Sequence, residues 1–279
     1  TLATEHPAVL ERYKFLEHNG AAMTYVPIEP DGRVNPKAIR DALRSETILV
    51  SVMYANNEIG TIQPIKEIAK EIRHYKKERA TDFAPNTNLY PYFHSDACQA
   101  APLLSLNVEQ LGLDLMTFSG IKIGAGYGAA VLYVRRGTPI MPIFYGGEQE
   151  RGLRSGTENV PAICALAAAL EVAEKTKENE SERLAILRDY FLDELMKRWP
   201  SVRVNGSREN RLPSNVHVSF KNIRSELLVL ELDAKGISAS AGSACSASDD
   251  SESAVLAALY GKRNVQGKGE GPERGLEQT

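Results

Sequence analysis

The chain has 279 residues, 43% of them hydrophobic and 25% charged, with a formal net charge of -3. These are the proportions of an ordinary globular protein, and they leave no electrostatic footprint for nucleic acid or a membrane surface. Three cysteines with no CxxC pair argue against a disulfide scaffold or a zinc site and point to a reducing, cytoplasmic compartment. No apolar run reaches bilayer length, no leader-like segment opens the chain, and the length predicts two domains.

The sequence lacks an initiator Met and opens on what reads as a strand end running into a helix, so further sequence is expected upstream. "HPAVLERYKFLEHNG" has apolar residues at helical spacing and stops at Gly20, a good C-cap. "AMTYVPI" reads as a strand, and "NPKAIRDALRSE" as a helix with Asn35 as N-cap and Pro36 at its first position. "TILVSVMYA" is a near-continuous apolar run, the pattern of a strand buried on both faces. "PIKEIAKEIRHYKKERA" is an amphipathic helix, "TDFAPNTNL" a surface insertion, and "YPYFHSDA" a strand ending on an acid. "DLMTFSG" and "AAVLYVRR" are strands flanking a Gly-rich turn. Strands alternating with helices define an α/β chain around a mostly parallel sheet. A long helical stretch follows, "ENVPAICALAAALEVAEKTKENESERLAILRDYFLDELMKRW", whose polar middle is the expected boundary between a large domain, residues 1–178, and a small α+β domain, residues 179–260. Residues 261–279 are Gly-rich and polar, and are expected to form a disordered tail.

Ligands of open α/β sheets gather at the carboxyl ends of strands. That rule gives weight to Asn56 and Asn57 after "SVMYA", Asp96 and Gln99 after "YFHS", Ser119 and Lys122 after "DLMTF", and His6 near the start. An amine, a carboxylate and several polar groups so placed are what pyridoxal phosphate chemistry requires: a Schiff base, a partner for the pyridinium nitrogen, and hydrogen bonds for the ring hydroxyl and phosphate. In "SASAGSACSASDD", residues 238–250, Cys245 stands among Ser, Ala and Gly. Such neighbours offer little to pack with, so the stretch is either a linker or an exposed segment that carries a thiol to a partner. Cys98, facing the core, and Cys164, in an Ala/Leu-rich helix, read as packing, and His18, His74 and His94 as core or surface residues rather than ligands.

Six stretches, "TEHPAVL", "TILVSVMYANNEIGTIQPIKEI", "FHSDACQAAP", "DLMTFSGIK", "GGEQERGLRSGTENVPAI" and "GSACSA", follow one another in the order and spacing of the cysteine desulfurases of the class V aminotransferase group. The chain resembles that family over most of its first 260 or so residues. The resemblance implies an aspartate-aminotransferase-like fold of type I and the pyridoxal 5'-phosphate-dependent removal of sulfur from L-cysteine, giving L-alanine and an enzyme persulfide. The sulfur would pass to an acceptor protein for iron–sulfur clusters or tRNA thiolation. It assigns Lys122 as the Schiff-base lysine, Asp96 to the pyridine nitrogen, Gln99 to the ring oxygen, His6 to the ring face, Ser119 to the phosphate, and Asn57 to the cofactor or substrate carboxylate. Thr157 would reach the phosphate of a neighbouring subunit, which implies a homodimer, and Cys245 would be the nucleophile.

The chain departs from the family pattern at several points. Ile121 stands where a His precedes the lysine, and "IGAGYGAA" replaces a Pro-containing turn. The N-terminal phosphate-binding turn is absent, and Arg263 matches the substrate-carboxylate arginine by position only. Other readings of the same residues are a selenocysteine lyase or another class V enzyme, and an inactive truncated remnant serving as an interaction scaffold.

Overall fold

The computed structural model describes residues 1–79, 90–241 and 253–261. The expected insertion "TDFAPNTNL", Cys245 with most of its Ser/Ala-rich stretch, Arg263 and the Gly-rich tail lie outside them.

Helix α1 (Pro7–His18) begins where Pro7 fixes the first turn and the His6 ring accepts the Ala8 N–H at 3.2 Å; it ends at Asn19, ahead of Gly20. Helix α2 (Pro36–Asp41) is capped as its sequence predicts, with Asn35 Oδ1 accepting the Lys37 N–H at 3.0 Å, but it stops earlier than its spacing suggests. Beyond it the Thr47 hydroxyl accepts the Arg44 N–H at 2.8 Å, and a turn replaces the last helical residues.

One sheet holds four strands in the order β1 (Leu49–Ser51), β2 (Tyr92–Asp96), β3 (Leu115–Ser119) and β4 (Ala130–Val134). β1 and β2 are parallel with Leu49 opposite Tyr92, β2 and β3 are parallel with His94 opposite Leu115, and β4 runs antiparallel to β3. Helix α3 (Ile65–Arg79) lies between β1 and β2 in the chain, and helix α4 (Val108–Leu111) between β2 and β3. The architecture is therefore α/β with a mostly parallel sheet.

The strands alternate. Val50, Phe93, Met116 and Phe118 are buried on one face in a cluster with Ile65, Ile68 and Ile72 of α3 and with Leu111. On the other face stand Ser51, His94 and Thr117; Ser51 is buried like Val50, so β1 is buried on both sides as its apolar run suggests, except at its first residue, Leu49, which is exposed. The backbone follows β2 past the end of β1: Val52 N–H donates to His94 O at 3.1 Å and Tyr54 N–H to Asp96 O at 2.8 Å. "AMTYVPI" is not a strand but a single bridge between Val26 and Leu2. Val26 N–H donates to Thr1 O at 2.8 Å, and Pro27, next along, has no N–H to extend a ladder.

Helix α5 (Val160–Arg198) runs 39 residues without a break and crosses residue 178, where the polar run suggested a boundary. Its first half packs by Leu166 on the main core; in its second half Arg188 donates to the carbonyls of Arg211 and Leu212 at 3.1 and 3.3 Å. Strands β5 (Arg203–Val204) and β6 (Val218–Ser219) pair antiparallel, followed by α6 (Ser225–Asp233) and α7 (Ala254–Tyr260).

Candidate active site

The ends of β2 and β3 build the site. Immediately after β2 the chain turns, and Asp96 Oδ1 accepts the Cys98 N–H at 2.9 Å, fixing the carboxylate at the strand terminus. Ser119 ends the neighbouring strand and is followed by a short 3-10 turn, residues 120–123, that carries Lys122. A Cβ at Gly120 would sit 3.0 Å from Ala129 O and 3.1 Å from Leu166 Cδ1, tighter than side chains ordinarily pack, so the start of this turn favours glycine. Gly124, at φ +80°, closes it in the left-handed region.

Asp96 and Ser119 line a cavity of about 630 Å³ over the polar face of the sheet, together with Tyr13, Ser51, His94 and Cys98. The thiol of Cys98 reports how these groups converge. Burial first, then the charge and hydrogen bonding of Asp96, push it up to about 12, while the Ser119 backbone and the Lys122 ammonium pull in the opposite direction. Cys98 packs against the core as its sequence context suggests, yet it also forms cavity wall, and its high pKa makes it a poor nucleophile. Cys164, expected to be packed, is exposed on α5.

The remaining candidates do not line the cavity. His6 caps the helix whose Ala8 and Val9 form part of the wall. Asn57 stands half-buried in the turn after β1, and Gln99 half-buried in the turn after Asp96. Lys122 is exposed, within electrostatic reach of Cys98. Thr157 is exposed in the segment entering α5 and is not brought to the cavity within one chain.

One group of the cavity wall, His94, and one buried carboxylate outside it, Glu5, carry no sequence signal. His94 is held across three strands, with Nδ1 2.8 Å from Ser51 Oγ and Nε2 3.1 Å from Thr117 Oγ1, and burial lowers its pKa. Glu5, beside His6 in sequence, is fully buried; Oε1 accepts the Met53 N–H at 2.8 Å and Oε2 has no partner among the described residues. Carboxylates are seldom buried, so nothing in "TEHPAVL" marks this one.

A mostly parallel sheet, with a carboxylate, a hydroxyl and an amine converging at its strand ends, agrees with the family to which residues 1–263 match, the class-V aminotransferases. The chain belongs to that family. It is 44% identical over 259 residues to the cysteine desulfurase IscS of Dictyoglomus turgidum, covering 93% of this chain and 62% of that protein. It is 43% identical over 258 residues to the cysteine desulfurase IscS of Methanosarcina thermophila, covering 92% of this chain and 60% of that protein. The chain thus spans about three fifths of the length of these curated relatives. Among solved structures, a NifS-like protein superposes with a TM-score of 0.82 at 34% identity over 94% of this chain and 65% of its own. DndA from Streptomyces lividans superposes with a TM-score of 0.74 at 30% identity over 92% and 69%.

Proposed function

We propose that this chain acts as a cysteine desulfurase, transferring the sulfur of L-cysteine to its own Cys245 with pyridoxal 5'-phosphate as cofactor. The observation that carries the reading is the meeting of Asp96, Ser119 and Lys122 around Cys98 at the strand ends, in a chain whose similar curated relatives bear that name. The donor set fits the cofactor: a carboxylate for a ring nitrogen, an amine for the carbonyl, a hydroxyl for the phosphate, and a cavity within the size range of small-molecule sites.

Bound there, pyridoxal 5'-phosphate supplies an electron sink for the pair released when the substrate Cα loses its proton. Asp96 holds the proton on the ring nitrogen. Lys122 would hold the cofactor through its amine and would be the base that moves the proton at the substrate Cα. Ser119 donates to the phosphate, Gln99 to the ring oxygen, and His6 covers the ring face, while Asn57 orients the substrate carboxylate. The Cys245 thiolate attacks the substrate sulfur; the C–S bond breaks, an S–S bond forms, and alanine leaves. The persulfide then passes to an acceptor protein, in the cytoplasm, for iron–sulfur clusters or tRNA thiolation.

Thr157 serves the phosphate of a second copy in a homodimer. The exposed apolar side chains of Tyr127, Met141, Ile143 and Tyr145, near it in sequence, support a contact surface there. α5 links a cofactor-binding part, residues 1–178, to a smaller part, residues 179–260, that carries Cys245. Ile121 is exposed beside Lys122 and brings no imidazole to the cofactor.

Borohydride reduction in the presence of the cofactor, followed by peptide mass spectrometry, tests the reading. The expected adduct is on Lys122. An adduct on another lysine, or none, refutes it.

A further inference from the structure

We propose that Asn215 is a positioning residue for Asn57: its side-chain amide, set by the buried Arg211 guanidinium, holds the turn that presents Asn57 to substrate. This rests on the desulfurase reading above, in which Asn57 orients the substrate carboxylate. Residues 55–62 double back as a short antiparallel loop, with Asn56 N–H donating to Thr61 O at 2.9 Å and Gly60 N–H to Asn56 O at 3.1 Å. No described residue hydrogen-bonds the half-buried side chain of Asn57, so its place is set by the backbone on either side of it. That backbone is held from two directions. Asn56, buried, accepts the Glu58 and Ile59 N–H groups at 2.9 and 3.0 Å and donates from Nδ2 to Thr4 O at 2.9 Å. From the other direction the segment between β5 and β6 grips the turn at successive residues. Asn215 Nδ2 donates to Glu58 O at 2.8 Å, Leu212 N–H to Gly60 O at 2.8 Å and Ser207 N–H to Thr61 Oγ1 at 3.0 Å, while Asn210 O accepts the Ile62 N–H at 2.8 Å. The Glu58 carboxylate also accepts the Ser253 hydroxyl at 2.5 Å. Within this set the Asn215 bond reaches the main chain next to Asn57.

The amide of Asn215 can face only one way. Its Oδ1 accepts Arg211 Nη1 at 2.9 Å, which turns the NH₂ toward Glu58 O. Arg211 is 3% exposed, and its other described partners are the carbonyls of Ser207, 2.7 Å from Nε, and of Asn205. Burial first, then the charge of Arg188, lower its pKa to about 10, which leaves the guanidinium charged at neutral pH. A buried cation held by neutral partners alone is costly, and an aspartate at 215 would supply the missing counter-charge. An aspartate has no N–H for Glu58 O. Asparagine is the side chain of that size that satisfies the guanidinium on one side and the carbonyl of the Asn57 turn on the other.

The test uses the full-length holoenzyme with Asn215→Ala, Asn215→Asp, Arg211→Met, Asn57→Ala, and the double variant Asn57→Ala/Asn215→Ala. Two ligands are titrated through the visible absorbance of the bound cofactor: L-alanine, and ethylamine, the same amine without the carboxylate. The Kd of L-alanine should rise about tenfold in every variant, as loss of a hydrogen bond to a charged group implies. The Kd of ethylamine should stay within twofold of wild type, which a general loosening of the fold would not allow. The double variant should bind L-alanine no more weakly than Asn57→Ala. Asn215→Asp keeps an acceptor for Arg211 and removes only the donor to Glu58 O, so an L-alanine Kd within twofold of wild type in that variant overturns the proposal. Equal losses for both ligands, or additive losses in the double variant, overturn it as well. An L-alanine Kd unchanged in Asn57→Ala refutes the role given to Asn57 in the desulfurase reading instead, and hydrogen exchange then decides the positioning. The amides of residues 57–60 should exchange several-fold faster in Asn215→Asp than in wild type, and unchanged exchange overturns it.

Discussion

Replacing Glu5 by Gln should flatten part of the pH dependence of stability. Burial, offset by the Met53 N–H and reinforced by Asp96, pushes the Glu5 carboxyl up to about 8 from an ordinary 4.5. Between those values the folded protein keeps a proton that the unfolded chain has released, so stability falls as pH rises. The contribution is fully present below about pH 4.5 and is lost as pH climbs through about 8. The slope approaches about 1.4 kcal/mol per pH unit, or roughly 3 kcal/mol between about pH 5.5 and 7.5. His94 acts in the opposite sense: burial lowers its pKa from 6.5, so its contribution is lost as pH falls below that value. That term is common to both proteins and cancels in their difference. In the variant the amide oxygen still accepts the Met53 N–H, while the NH₂ takes the unpartnered position at a cost of about 1–3 kcal/mol, independent of pH. Urea unfolding at pH 5.5, 6.5 and 7.5 gives the comparison. The wild-type advantage should shrink by roughly 3 kcal/mol across the series. Parallel pH profiles for the two proteins would refute a neutral Glu5.

Gly60→Ala should destabilise by about 1–3 kcal/mol, because Gly60 has φ +69° and a Cβ there would collide with the Asn215 side chain. Gly20→Ala, at φ +89° with open space around it, should cost only about 1 kcal/mol, and thermal unfolding of both separates the clash from the backbone strain. Iodoacetamide at pH 8 should modify exposed Cys164 well before Cys98, whose thiol is pushed up to about 12; equal rates by peptide mass spectrometry would contradict the position of Cys98 beside Asp96.

The helices were largely legible because their caps are local. Pro7, Asn35 with Pro36, and the Gly after α1 each act within a few residues of their position in sequence, so their effects can be read without knowing the fold. The strands were less legible because a strand needs a partner. "TILVSVMYA" and "AMTYVPI" have similar apolar content, yet one becomes the edge of a four-stranded sheet and the other a single bridge, and the difference lies in which distant backbone runs alongside. The same limit hides the Glu58–Ser253 bond, since neither residue type nor spacing marks a pair so far apart in the chain.

Within the cavity, Asp96 and Ser119 combine a strand-end position with fitting chemistry that the sequence displays, while His94 reads from the sequence as a core or surface residue. Its place follows from the sheet's alternation. Once Phe93 and Ser95 turn into the core, His94 must stand on the opposite face with Ser51 and Thr117 as cross-strand neighbours. Bonded to a hydroxyl at each nitrogen, the neutral ring donates through one and accepts through the other, so it links three strands without adding charge. An imidazolium there would donate from both nitrogens and carry a positive charge into a half-buried wall, which is the state burial disfavours.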